Sequence, residues 1–95
     1  MQLEIITPET LIFKGEATAV QFPGLDGSFQ VLNNHAPIIS GLAAGTIKAD
    51  LAEAIKTSGK TNSHITTENQ GKIIHVAIKG GVMEMQNNKI IVLAE

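Results

Sequence analysis

Apolar residues recur at every second position in short runs, and Gly, Pro or Asn cuts each run before it can grow; this feature most limits what the chain can become. Leu3 and Ile5 alternate with Glu4 and Ile6 until Thr7-Pro8 closes the run. Residues 10–13 form a second run, ending at Lys14-Gly15. Thr18, Val20 and Phe22 then share one face against Ala19 and Gln21, and Pro23-Gly24 and Gly27 bracket a tight loop. Phe29 and Val31 follow, alternating with Ser28 and Gln30. Side chains of a strand point to opposite faces in turn, so the pattern buries one face of many short strands. The expected fold is all-β: a flattened sandwich or barrel of about 8–10 short strands. At 95 residues this is one domain, 1–95.

The last third repeats the pattern most clearly. Ile74, Val76 and Ile78 line one face of a run that stops at Gly80-Gly81. Residues 82–86 and 89–93 are joined by Asn87-Asn88, and Asn tolerates the positive φ of a two-residue primed turn. Ile73 and Ile91 lie on the opposite faces of their runs, which suggests strands covered on both sides. Met83 and Met85 read as core ahead of a soft interface. Glu84 between them reads as an outward strand residue or a partner-facing carboxylate. The middle supports two readings. Ile47, Ala49 and Leu51 extend a strand from Thr46, whereas Asp50-Leu51-Ala52-Glu53 has the form of a capping box opening a short helix near 51–58, with Gly59 as its C-cap. Residues 66–72 offer little to a core, so 51–69 reads as an excursion from the sandwich.

Composition excludes several functions. All seven cationic residues are lysines (Lys14, Lys48, Lys56, Lys60, Lys72, Lys79 and Lys89) and the net charge is −2. With no arginine, no basic patch and Phe13, Phe22 and Phe29 as the only aromatics, nucleic-acid binding is not expected. Zero cysteines remove disulfides, thiolate metal sites and thiol nucleophiles. His35, His64 and His75 are spaced too widely for a compact ligand set. His75 reads as a strand residue with one satisfied nitrogen, and His64 as a solvated one. No paired carboxylates, phosphate cradle or serine elbow appears, so neither an enzyme nor a cofactor is expected. No apolar run reaches the roughly 18 residues of a membrane-spanning helix, and the opening MQLEIITPET lacks the basic-then-apolar order of an export signal. One stretch stands out as specific: PGLDGSFQVLNNHAPIISGL, residues 23–42. Its glycines permit a tight loop, Phe29 and Val31 anchor its exit, and Ala36-Pro37 holds His35 in an extended approach. A stiff loop loses little entropy on docking, which suits it to a protein partner.

The opening LEIITPETLIFKGEATAVQFPG, the G-x-x-G-S-F-x-V-L-x-x-H-A-P-I motif from Gly24 to Ile38, Gly45, and the closing IKGGVMEMQNNKIIVLAE occur together in an order that resembles the F-type ATP synthase epsilon family, in its N-terminal β-sandwich domain. The resemblance runs nearly end to end. It implies a non-catalytic rotor part of the central stalk, with the gamma subunit and the ring of c subunits as partners, which couples ion-driven rotation to ATP synthesis. It also implies a peripheral position on the cytoplasmic face of a bacterial inner membrane, with membrane association only through the complex. By the same resemblance Asp26, Gly27, Ser28 and Phe29 face the c-ring, and Thr7, His35 and Ser40 face gamma. Ser28 stands where the family often has Glu, Gln30 where it has Gly, and Asn33-Asn34 where it has Pro-Gly. Two departures are larger. Family members continue into a helical hairpin that inhibits ATP hydrolysis, whereas this sequence ends at Glu95, so no inhibition by that route is expected. Gly45 and Gly80 are farther apart than the family's pattern, which makes 51–69 an insertion. The competing reading is a stand-alone ligand- or metal-binding β-sandwich using His35, His64 or His75, which would bind without gamma.

Overall fold

The computed structural model describes residues 1–54 and 65–95. Among the described residues nine strands carry the fold: β1 (Gln2–Ile6), β2 (Leu11–Gly24), β3 (Gly27–Leu32), β4 (Ile38–Leu42), β5 (Gly45–Leu51), β6 (Ile65–Glu68), β7 (Ile73–Ile78), β8 (Gly81–Gln86) and β9 (Lys89–Ala94). A tight turn, Asn69–Gly71, precedes β7. The expectation of an all-β sandwich is met.

The strands form two layers that share β2. Its first half pairs with β1, β1 runs parallel to β9, and β9, β8 and β4 follow in antiparallel order. Its second half pairs with β3 and β5, and β5, β7 and β6 continue the second layer. The Gly24–Leu42 pairing ties β2 to β4 and closes the opposite corner. Leu3, Ile5, Met83, Met85, Ile90 and Val92 point inward from the first layer. Val20, Phe22, Val31, Ile47, Ile74 and Val76 meet them from the second, and all twelve are fully buried. Each such side chain contributes about 1.5–3 kcal/mol relative to its exposed state. No polar or charged residue is buried among the described residues, so backbone ladders supply the interior hydrogen bonding. Met83 and Met85 are thus core residues, as expected.

Four expectations need correction. Lys14-Gly15 does not end a strand: β2 runs unbroken from Leu11 to Gly24, because the Phe13 ring packs where a Gly15 side chain would be, its Cζ 2.8 Å from an ideal Cβ. Thr18 does not share the buried face of Val20 and Phe22. The register against β5 slips between Ala17 and Ala19, leaving Thr18 as the extra, exposed residue of a bulge, and its hydroxyl donates to the Asp50 carbonyl at 3.3 Å. No helix opens at Leu51. It is the last residue of β5, extended and paired with Ala17, and its N–H donates to the Lys72 carbonyl at 2.8 Å. Residues 52–54 are described and are not helical either, while 55–58 and the expected Gly59 cap lie outside the described residues. The excursion over 51–69 also rejoins the sheet early, since β6 pairs with β7 along its length and Ile65 enters the core. Positive φ at Asn69, Gln70 and Gly71 then reverses the chain into β7. The Asn87-Asn88 turn has the expected form, with φ of 53° and 58°.

Candidate partner-binding surface

The β2–β3 hairpin is the most firmly held of the expected contact regions. Gly24 pairs with Gly27 across a two-residue tip, Leu25-Asp26, and the positive φ falls on Gly27 at 119°. Leu25 N–H donates to the Gly41 carbonyl at 3.3 Å and Ala43 N–H to the Pro23 carbonyl at 2.8 Å, which pins the tip to β4. Behind the tip, the half-buried Phe29 ring lies 5.5 Å from the Phe22 ring, whose side chain is in the core. Asp26, Gly27 and Ser28 are exposed on this support. A shallow groove runs from the tip to β4, lined by Phe29 on one side and by Ile39, Ser40 and Gly41 on the other. The fold therefore gathers Asp26, Gly27, Ser28 and Phe29 and brings Ser40 beside them.

Thr7 and His35 stand apart from that groove and from each other. Thr7 follows β1, in a turn closed by its N–H to the Thr10 carbonyl at 2.8 Å and by the reverse bond at 3.3 Å. His35 lies near the other end of β1. Its N–H closes a turn onto the Leu32 carbonyl at 3.1 Å, and the preceding Asn34 N–H donates to the Asn88 side chain at 2.8 Å. Asn88 in turn accepts from Gln2, the first residue of β1, through its backbone carbonyl at 3.1 Å. The His35 ring, through Nδ1, meets the Ala36 carbonyl at 2.7 Å.

Between Thr7 and His35 spreads the outer face of the first layer. Strand register sets its side chains in rows across β4, β8, β9, β1 and β2. The row nearest Thr7 is aliphatic: Leu25 folded over Gly41, then Val82, Leu93, Ile6 and Leu11. The next row alternates Ile39, Glu84, Ile91, Glu4 and Lys14, and the row nearest the Asn87-Asn88 turn is Gln86, Lys89, Gln2 and Glu16. Leu25 and Ile39 are each 70% exposed, and Leu11, Val82 and Leu93 are exposed as well. This corrects the expectation that Ile91 marks a strand covered on both sides: within the described residues no layer lies over it. The outer face of the second layer is different in kind, with Thr66, His75, Lys48, Gln21 and Gln30 in one cross-strand row. A contiguous aliphatic row open to solvent on one face alone is the mark of an interaction surface.

Residues 1–59 match the beta-sandwich domain of the ATP synthase delta/epsilon chain. The chain is 35% identical to the ATP synthase epsilon chain of Chlorobium limicola over 99% of its own length and 88% of that relative's. The chain belongs to this family. It is also 34% identical to the epsilon chain of Desulforamulus reducens, of which it spans 58%. Its fold matches a chain in the central stalk and c-ring structure of the Tetrahymena thermophila mitochondrial ATP synthase, with a TM-score of 0.72 at 15% identity over 99% of this chain and 62% of that one. Epsilon chains are structural and regulatory subunits of the synthase, not catalytic ones.

Among the described residues the histidines, His35 and His75, do not assemble into a site. His75 lies on the outer face of the second layer with Nε2 2.5 Å from the Glu68 carboxylate, a strand residue with one satisfied nitrogen as expected. His35 is held in its own turn, and His64 lies outside the described residues. Among the described residues no group of three His, Cys, Asp or Glu is placed to hold a metal, and no helix is long and apolar enough to cross a membrane. The aliphatic row was missed at the sequence level, although its signal was present. Ile90-Ile91-Val92-Leu93 is apolar on both parities, and the fold buries one of them, Ile90 and Val92, while Leu93 stays exposed and Ile91 half-buried.

Proposed function

We propose that the chain is a non-catalytic rotor subunit of an ATP synthase, seated in the central stalk between the gamma subunit and the c-ring, and that it passes ion-driven rotation toward ATP synthesis. Gamma lies across the outer face of the first layer. Thr7 and His35 mark the two ends of that face, whereas Ser40, the third residue expected to face gamma, pairs with the buried Met83 on the opposite side of β4 and borders the hairpin groove. The c-ring meets the hairpin tip at Asp26, Gly27, Ser28 and Phe29, where the Asp26 carboxylate is presented to basic groups on the ring's loops. In this reading the protein is peripheral on the cytoplasmic face of a bacterial inner membrane and touches the membrane only through the complex. Strand β6, in the C-terminal part of the 51–69 insertion, edges the second layer away from the gamma face.

The observation that carries the reading is the open aliphatic row of the first layer, framed by Thr7 and His35, in a chain of this family. Titration calorimetry of the purified chain with its cognate gamma subunit, checked by size-exclusion chromatography, tests it. A one-to-one complex, weakened when Leu93→Asp is placed in the aliphatic row, is the expected result. No complex with a demonstrably folded gamma subunit overturns it.

A further inference from the structure

The outer face of the first layer carries two carboxylates in one row, and they are not equivalent. Glu4 lies between Lys14, at 3.7 Å, and Lys89, at 3.5 Å, so this chain neutralises it internally. Glu84 lies two strands away, flanked across the strands by Ile39 and Ile91, with Val82 and Gln86 at the next outward positions of its own strand. It is exposed, and among the described residues no cation pairs with it. Both cations of its row and of the row beside it, Lys14 and Lys89, are already engaged with Glu4.

An apolar row attracts without direction, because hydrophobic contact depends on area and hardly on register. A carboxylate set among aliphatic side chains supplies the direction: a partner that covers the face must either meet it with a cation or bury it unpaired at a cost of several kcal/mol. We propose that Glu84 is the registering charge of this face, and that the partner protein sets a Lys or Arg side chain over it. The inference rests on the reading of gamma as that partner. A second copy of this chain fits the face badly. The outer face presents three carboxylates, Glu4, Glu16 and Glu84, against two lysines that both already border Glu4, so two copies stacked face to face would bring together an excess of negative charge.

The test is titration of wild-type chain, Glu84→Gln and Glu84→Arg with cognate gamma at low and high salt. Glu68→Gln, on the outer face of the second layer, serves as the control. Circular dichroism establishes that each variant is folded, which the exposure of Glu84 favours. Glu84→Gln is expected to weaken binding roughly tenfold to a hundredfold and to flatten its salt dependence, and Glu84→Arg to weaken it at least about a hundredfold. Glu68→Gln stays within about twofold. If wild type binds and both Glu84 variants match it at every salt concentration, the registering role is wrong while the gamma reading stands. If wild type does not bind folded gamma, the partner reading falls and takes this inference with it. Concentration-dependent dimerisation of the chain alone, lost in Glu84→Arg, assigns the face to a second copy and likewise overturns the proposal.

Discussion

Replacing Gly81 by alanine separates two costs that usually arrive together. Gly81 opens β8 at φ 150°, in a region L-residues rarely adopt, and an ideal Cβ there falls 2.3 Å from the Leu93 carbonyl oxygen and 3.0 Å from the Ala94 Cα. Both obstacles are β9 backbone, so no side-chain rotation relieves them. Gly27 provides the control: its φ is 119°, yet nothing lies within 4 Å of its ideal Cβ. Backbone strain of this kind costs about 1–3 kcal/mol, and for Gly27→Ala that is the whole effect. For Gly81→Ala the end of the β8–β9 ladder must also part at the Gly81–Ala94 pair, which exposes backbone groups worth about 1–3 kcal/mol more. The expected gap between the variants is therefore about 2 kcal/mol, or about 8–16 °C in melting temperature for a domain this small. Thermal unfolding followed by circular dichroism measures it. Melting temperatures for Gly81→Ala and Gly27→Ala within about 2 °C of each other would refute the reasoning, since β9 would then yield without cost.

Two further outcomes follow from the packing and the turns. Met83→Ala, at a fully buried position between the layers, should cost about 2–5 kcal/mol in urea unfolding, because the rigid sheets leave a cavity they cannot close. Asn88→Gly keeps a residue at ease with φ 58° but removes the acceptor for Asn34 N–H; stability should fall by about 1 kcal/mol, with faster amide exchange localised at Asn34.

Where the sequence could be read and where it could not divides along physical lines. The alternation of Ile74, Val76 and Ile78, the Asn87-Asn88 turn and the burial of Met83 and Met85 were legible because each depends on parity or on local turn chemistry. Gly15 was misread as a break, since the Phe13 ring that occupies its empty side is a packing partner and not a turn signal. Thr18 was assigned to the wrong face because a bulge shifts parity by one, and an inserted strand residue has no composition of its own. Strand β6 was hidden by having one apolar residue, Ile65, to declare it. At Leu51 two local signals competed, and pairing with Ala17 across the sheet decided between them. Of the expected contact residues, the Asp26–Ser40 neighbourhood depends on the Gly24–Leu42 corner, a long-range closure that no local pattern announces.

Hydrophobic pattern reports that a face is covered, never by what. Strand β9 is apolar on both parities whether its outer face belongs to this chain or to another, so Ile91 and Leu93 read the same in either case. Charge placement makes the distinction. On this one face the chain supplies its own cations to Glu4, through Lys14 and Lys89, and among the described residues it supplies none to Glu84. Under the proposed rotor role the difference has consequences. Apolar contact resists separation but offers little resistance to sliding along its own row. A charge pair set in that row does resist sliding, because any displacement leaves two desolvated ions apart. The strand ladder beneath Glu84, paired on both sides to β4 and β9, then spreads the load into the sheet and not into a single side chain.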